Sequence, residues 1–154
     1  MVDRNLKWME LAYAGANIFS TCAKRQYFSV IISSDGRVAG TGYNGGPSGT
    51  THCVDGGCPR YEEQSDSGTT YDNCIAIHSE ANAIMFSNYR DREGASLYVN
   101  GSPCFSCAKL IANSGIKTVY FISDSSYKQE EDVILFLINS KVKPINLGEH
   151  FASR

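Results

Sequence analysis

The spacing of apolar side chains divides the chain into elements. Leu6, Met9, Tyr13, Ala16 and Phe19 recur every three or four residues, the period of one helix face, and Asp3 ahead of them suits an N-cap, so residues 3 to about 22 read as a helix. "YFSVIIS" at 27–33 is β-branched and aromatic, "SDG" at 34–36 supplies a turn, and "RVAGTGY" at 37–43 returns as a second strand, the pattern of a hairpin. Residues 44–74 then lose periodicity in Gly, Pro, Ser, Thr and Asp. A loop that long inside a small domain is functional or is held by something else. Helical spacing resumes from about 77 to 89, and "ASLYVN" at 95–100 follows as a strand. Pro103 ahead and Gly115 behind bracket "CFSCAKLIANSG" at 104–115 as a third helix, since proline suits a helix start and glycine its end. "KTVYFIS" at 117–123 and "VKPINL" at 142–147 are strands flanking a fourth helix at 130–139. The order αββαβαβαβ predicts an α/β fold, a mixed sheet covered by helices.

Composition narrows the class. At 154 residues and 42% hydrophobic, the chain suits one domain with a real core and is short for two, so residues 1–154 are expected to form a single domain. No run of 18 apolar residues occurs, and "MVDRNLKWMELAY" lacks the apolar centre of a signal peptide, which points to a soluble cytoplasmic protein without a membrane partner. The formal charge is −2, and Lys24-Arg25 is the one adjacent basic pair among 14 scattered Lys and Arg. Polyphosphate binding needs clustered cations, so nucleic acid is not the expected partner. Six cysteines in a reducing compartment favour metal ligation or catalysis over disulfides. Any single one of them also reads as a small buried apolar residue.

"PCFSC" at 103–107 places Cys104 and Cys107 on the first turn of a helix, where the positive end of the dipole favours thiolates. Zinc ligation, a thioredoxin-like redox pair and two packed thiols all fit this motif alone. "HSE" at 78–80 adds a nitrogen ligand and a carboxylate. His78, Cys104 and Cys107 would leave a fourth tetrahedral position open, as in catalytic zinc sites. Residues two apart on a helix point away from each other, so His78 and Glu80 converge only at a helix end. Glu80 alone reads as dipole compensation and His78 alone as an ordinary helix-start residue. Together, H-x-E followed by P-C-x-x-C is the described signature of zinc nucleobase deaminases.

With "GYNGGPSG" (42–49), "HC" (52–53), "IHSEANAI" (77–84) and "SPCFSCAKLIANSGIKTVYF" (102–121), the chain resembles the cytidine deaminase superfamily, and within it the deoxycytidylate (dCMP) deaminases of phage and bacterial type. The resemblance implies a three-layer α/β/α fold with a central five-stranded mixed sheet, and two metal-bearing helices meeting at the sheet edge. It implies a cytoplasmic enzyme, in the host cytoplasm if phage-encoded, that converts dCMP to dUMP and ammonia and so supplies dUMP for dTMP synthesis. Zn2+ would be held by His78, Cys104 and Cys107, with Glu80 carrying protons from water to N3 of cytosine and to the departing amine. Asn44 would contact the deoxyribose and Tyr127 would line the nucleotide site. Lys24 and Arg25 are candidates for the 5′-phosphate on charge alone. Relatives are often hexamers activated by dCTP and inhibited by dTTP, so a homo-oligomer, hexamer or dimer, with these effectors is implied. CMP, modified dCMP, tRNA or single-stranded DNA are the alternative substrates, and a non-catalytic zinc module is a third reading.

Two features depart from or extend that pattern. Many relatives have Val-Gly-Ala entering the first strand where this chain has "YFSV" (27–30), and some have an arginine near the end of the second helix where this chain has Tyr89 followed by Arg90. Setting aside Cys104 and Cys107 leaves Cys22, Cys53, Cys58 and Cys74, the number a closed tetrahedral zinc requires. Such a structural ion would tie the long loop to both flanking helices. Similar deaminases carry a second zinc with cysteines matching Cys22 and Cys53, and His52 is the rival to one of the four.

Overall fold

The computed structural model describes residues 3–62 and 73–152. Part of the expected long loop, residues 63–72, lies outside the described residues, as do 1–2 and 153–154. The strands are β1 (Phe28–Ile32), β2 (Val38–Tyr43), β3 (Ser96–Val99), β4 (Thr118–Phe121) and β5 (Lys143–Asn146). They form a five-stranded sheet in the order β2-β1-β3-β4-β5. β1 is antiparallel to β2 and β3, whereas β3, β4 and β5 run parallel, so the sheet is mixed as expected. The helices are α1 (Arg4–Phe19), α2 (Pro59–Glu62), α3 (Ser79–Met85), α4 (Tyr89–Arg92), α5 (Phe105–Asn113), α6 (Glu130–Asn139) and α7 (Gly148–Ala152). α1 and α7 cover one face of the sheet and α3, α5 and α6 the other, giving three layers. None of the described helices is long and apolar enough to cross a membrane.

β1 is buried along its whole length, which explains why four of its five residues are apolar rather than every second one. Phe28, Val30 and Ile32 face α1 together with Tyr98, whose ring stacks on Tyr120 at 4.6 Å. Ile31, Leu97, Val99, Val119 and Phe121 face the other way, against Ala108 and Ile111 of α5 and Val133 and Leu137 of α6. Asp3 caps α1 by accepting from the Asn5 N–H at 2.9 Å, and Gly115 leaves α5 at φ 92°, the left-handed conformation that glycine adopts without strain.

The first two helices are shorter than their periodicity predicts. α1 stops at Phe19 rather than near Cys22, because Ser20 turns extended and its hydroxyl donates to Asn44 Oδ1 at 2.5 Å. The second helix begins at Ser79, not 77. Ile77 instead exchanges backbone hydrogen bonds with Gly45, at 2.8 and 3.2 Å. It also ends at Met85, after which α4 forms separately and Arg92 of α4 donates to the Ile84 carbonyl at 2.7 Å. Both corrections come from polar contacts between distant segments, which a local period does not register. The long loop is likewise not structureless, since it holds α2 and a 3₁₀ turn at Cys53–Asp55.

Glycines set how closely α3 lies on edge strand β2. A Cβ on Gly42 would stand 2.3 Å from Ala83 N and 2.4 Å from Ser79 O, and one on Gly40 would stand 2.6 Å from Ser87 Cβ. Backbone therefore packs on backbone at the first turn of α3, the turn that carries the H-x-E motif. α5 follows central strand β3 and meets α3 on the same face.

Candidate metal centre and nucleotide cavity

His78 is the N-cap of α3 with an extended backbone (φ −69°, ψ 151°), and its side chain makes no capping bond. The imidazole is thus free to face α5. Cys104 is the N-cap of α5, and its sulfur accepts from the Cys107 N–H at 3.5 Å. His78 Nδ1 lies 3.4 Å from the sulfurs of both Cys104 and Cys107. Tetrahedral zinc with Zn–S near 2.3 Å and Zn–N near 2.0 Å would separate nitrogen and sulfur by about 3.5 Å, so the donor set fits the ion. Among the described residues, these three make up the one group of His, Cys, Asp and Glu ligand atoms lying within 4.8 Å of one another.

The electrostatics suit a cation. Cys104 is lowered to about 4, chiefly by its hydrogen bond with Cys107 and then by that with His78, while contact with Cys104 and burial push Cys107 up. His78 rises to about 9, mainly through its hydrogen bond to Cys104. The metal-free centre therefore holds protons on His78 and Cys107 that an arriving metal displaces. Glu80, in the first turn of α3, is 5% exposed. Burial raises its carboxyl above the ordinary carboxylate range, which suits a group that must both accept and release a proton.

A cavity of about 320 Å³ opens beside this centre, lined by His78, Glu80 and Cys104 and also by Lys24, Arg25, Asn44 and Tyr127. Every expected substrate contact therefore borders one space. Asn44, 6% exposed, is largely committed: Oδ1 accepts from Ser20 Oγ and the Tyr27 N–H, and Nδ2 donates to the Arg25 carbonyl at 2.8 Å. One Nδ2 hydrogen is left for a ligand. Arg25 donates to Asp124 Oδ2 at 2.6 Å, so its charge is already partnered. Asp124, Ser126 and buried Arg60 also line the cavity, and sequence reasoning missed them. Asp124 reaches Arg25 across 99 residues, a distance no local motif reports. Arg60 carried no signal beyond its place after Cys58 and Pro59.

The remaining cysteines draw together without reaching ligand spacing. Cys53 and Cys58 are buried. Burial is the main cause that pushes Cys53 up to about 12, followed by contact with Cys58, and Cys22 and Cys74 are near enough to contribute. His52 faces elsewhere, into a groove lined by Thr41, Asn82 and Phe86, and its buried Nδ1 has no hydrogen-bond partner among the described residues.

Residues 2–123 match the model of the cytidine and deoxycytidylate deaminase zinc-binding region. The deoxycytidylate deaminase of Mycobacterium phage D29 is 38% identical over 112 residues, which span 69% of this chain and 84% of that protein. The Schizosaccharomyces pombe deoxycytidylate deaminase is 40% identical over 116 residues, 74% of this chain but 35% of the yeast protein. The crystal structure of apo dCMP deaminase from cyanophage S-TIM5 superposes with a TM-score of 0.70 at 24% identity, covering 95% of this chain and 98% of that one, a likeness of fold. A zinc-binding family model that spans the H-x-E and P-C-x-x-C residues, on a sheet of matching architecture, places the chain: it belongs to the cytidine and deoxycytidylate deaminase family.

Proposed function

We propose that residues 1–154 act as one deaminase domain that hydrolyses dCMP to dUMP and ammonia. The observation carrying this reading is a buried carboxyl, Glu80, beside a ready His-Cys-Cys metal set in a cavity bordered by Lys24, Arg25 and Arg60. The names of the phage and yeast relatives support the choice of substrate. His78, Cys104 and Cys107 would hold a zinc ion, which when bound would supply Lewis acidity and bring the pKa of a water from about 15.7 toward about 7. Glu80 accepts the proton of the attacking water and delivers it to N3 of the cytosine, then takes the proton of the hydroxyl now on C4 and passes it to the amine, so that the C4 carbonyl forms as the C4–N bond breaks and ammonia leaves. Asn44 offers its free Nδ2 hydrogen to the deoxyribose, Tyr127 walls the nucleotide, and Lys24 and Arg25 meet the 5′-phosphate.

A structural zinc at Cys22, Cys53, Cys58 and Cys74 belongs to the same reading, supported by the convergence of these thiols on Cys53. The orientation of His52 into a separate groove favours the four cysteines over it. A cytoplasmic homo-oligomer, hexamer or dimer, regulated by dCTP and dTTP is also part of the proposal. Met85 and Phe86, 63% and 75% exposed at the C-terminal end of α3, support self-association. The test is ammonia release from dCMP, CMP, deoxycytidine and cytosine-containing oligonucleotides, with each triphosphate added in turn. dCMP is expected to turn over fastest. Faster turnover of deoxycytidine contradicts phosphate recognition, and preference for an oligonucleotide contradicts the free-nucleotide reading.

A further inference from the structure

Ser29 of β1 and Ser79, the first residue of α3, are both fully buried. Their hydroxyl oxygens lie 2.8 Å apart, and Ser79 Oγ donates to Glu80 Oε2 at 3.2 Å. A hydroxyl has one proton to give. Ser79 spends its proton on the carboxylate, so Ser29 is the donor to Ser79 and the chain runs Ser29 to Ser79 to Glu80. Two hydroxyls in the packed seam between β1 and α3 contribute little to stability that well-packed alanines would not also provide. Their direction toward one oxygen of Glu80 has a different consequence.

We propose that Ser79, held in place by Ser29, is a positioning residue for Glu80. The inference rests on the deaminase reading, in which Glu80 carries a proton twice in one turnover. Anchoring Oε2 fixes the carboxyl plane and leaves Oε1 as the oxygen that meets the reacting atoms in both transfers. A carboxyl free to rotate about its terminal torsion would spend only part of its time aligned with either N3 or the amine. The anchor is stiff because its root, Ser29, belongs to a buried strand paired on both sides, and because α3 is seated on β2 at Gly42.

The test measures kcat, KM for dCMP, zinc content and melting temperature for Ser79→Ala, Ser29→Ala, the double variant and Glu80→Gln. Ser79→Ala is expected to lower kcat about tenfold with KM and zinc content unchanged. Ser29→Ala is expected to lower it about threefold, and the double variant to be no worse than Ser79→Ala, because Ser29 acts only through Ser79. Unchanged kcat in Ser79→Ala, losses that multiply in the double variant, or loss of zinc in step with activity each overturns the proposal. If Ser79→Ala does not fold, Ser29→Ala decides alone, by a drop in kcat at constant KM or its absence. A Glu80→Gln variant that stays active brings down the deaminase reading itself. An inactive Glu80→Gln beside an unaffected Ser79→Ala brings down only the positioning role.

Discussion

A thiol pushed up to about 12, as burial and Cys58 push Cys53, does not ionise by itself near neutral pH; a metal ion is what would take its proton. The same competition acts at His78 and Cys107, whose raised pKa values mean that zinc loading weakens as pH falls. Purified protein is expected to contain about two zinc ions per chain, and Cys58→Ser about one, with a lower melting temperature and the catalytic ion retained. Elemental analysis checks this. One zinc in the wild type, with Cys22, Cys53, Cys58 and Cys74 all reacting freely with a thiol reagent in the native state, contradicts it. At this scale the metal set was legible because each half of it is local: His78 with Glu80, and Cys104 with Cys107. The engagement of Asn44 with Ser20 and Tyr27, and of Arg25 with Asp124, was not, since these partners are set by how distant loops come together.

The first turn of α3, which carries the H-x-E motif, is positioned by what β2 lacks. Gly42→Ala forces a Cβ to within 2.3 Å of Ala83 N and 2.4 Å of Ser79 O, and these are backbone atoms that no rotamer change can move. Overpacking of this kind costs about 1–3 kcal/mol, and relief requires α3 to shift away with His78 and Glu80 on it. Denaturant unfolding is expected to show that loss, and dCMP turnover to fall at least about tenfold. An equally stable and active Gly42→Ala contradicts the assigned role. The strands and the last two long helices could be read from the chain because buried β-branched runs and capped amphipathic segments declare themselves locally. The ends of the first two helices could not. Ser20 is drawn off by Asn44, and Ile77 by Gly45, so tertiary hydrogen bonds override the local period.

For the molecule as a whole, sheet order explains why one cavity collects residues from so much of the chain. β1 and β3 are neighbours although the long loop and α3 separate them in sequence. Residues next to the ends of β1, β2, β3 and β4 therefore border the same space: Tyr27, Asn44, Ser102 and Asp124. A net charge of −2, with Lys24, Arg25 and Arg60 among the residues lining that cavity, suits a small anionic substrate better than a polyanion. The central claim is that Glu80 moves protons while His78, Cys104 and Cys107 hold the metal. It is tested most directly by ammonia release from dCMP by the wild type and Glu80→Gln, with zinc content determined on the same samples. The account predicts full catalytic-site zinc in Glu80→Gln and a fall in kcat of at least about 10²-fold; near-normal turnover with zinc still bound would contradict it.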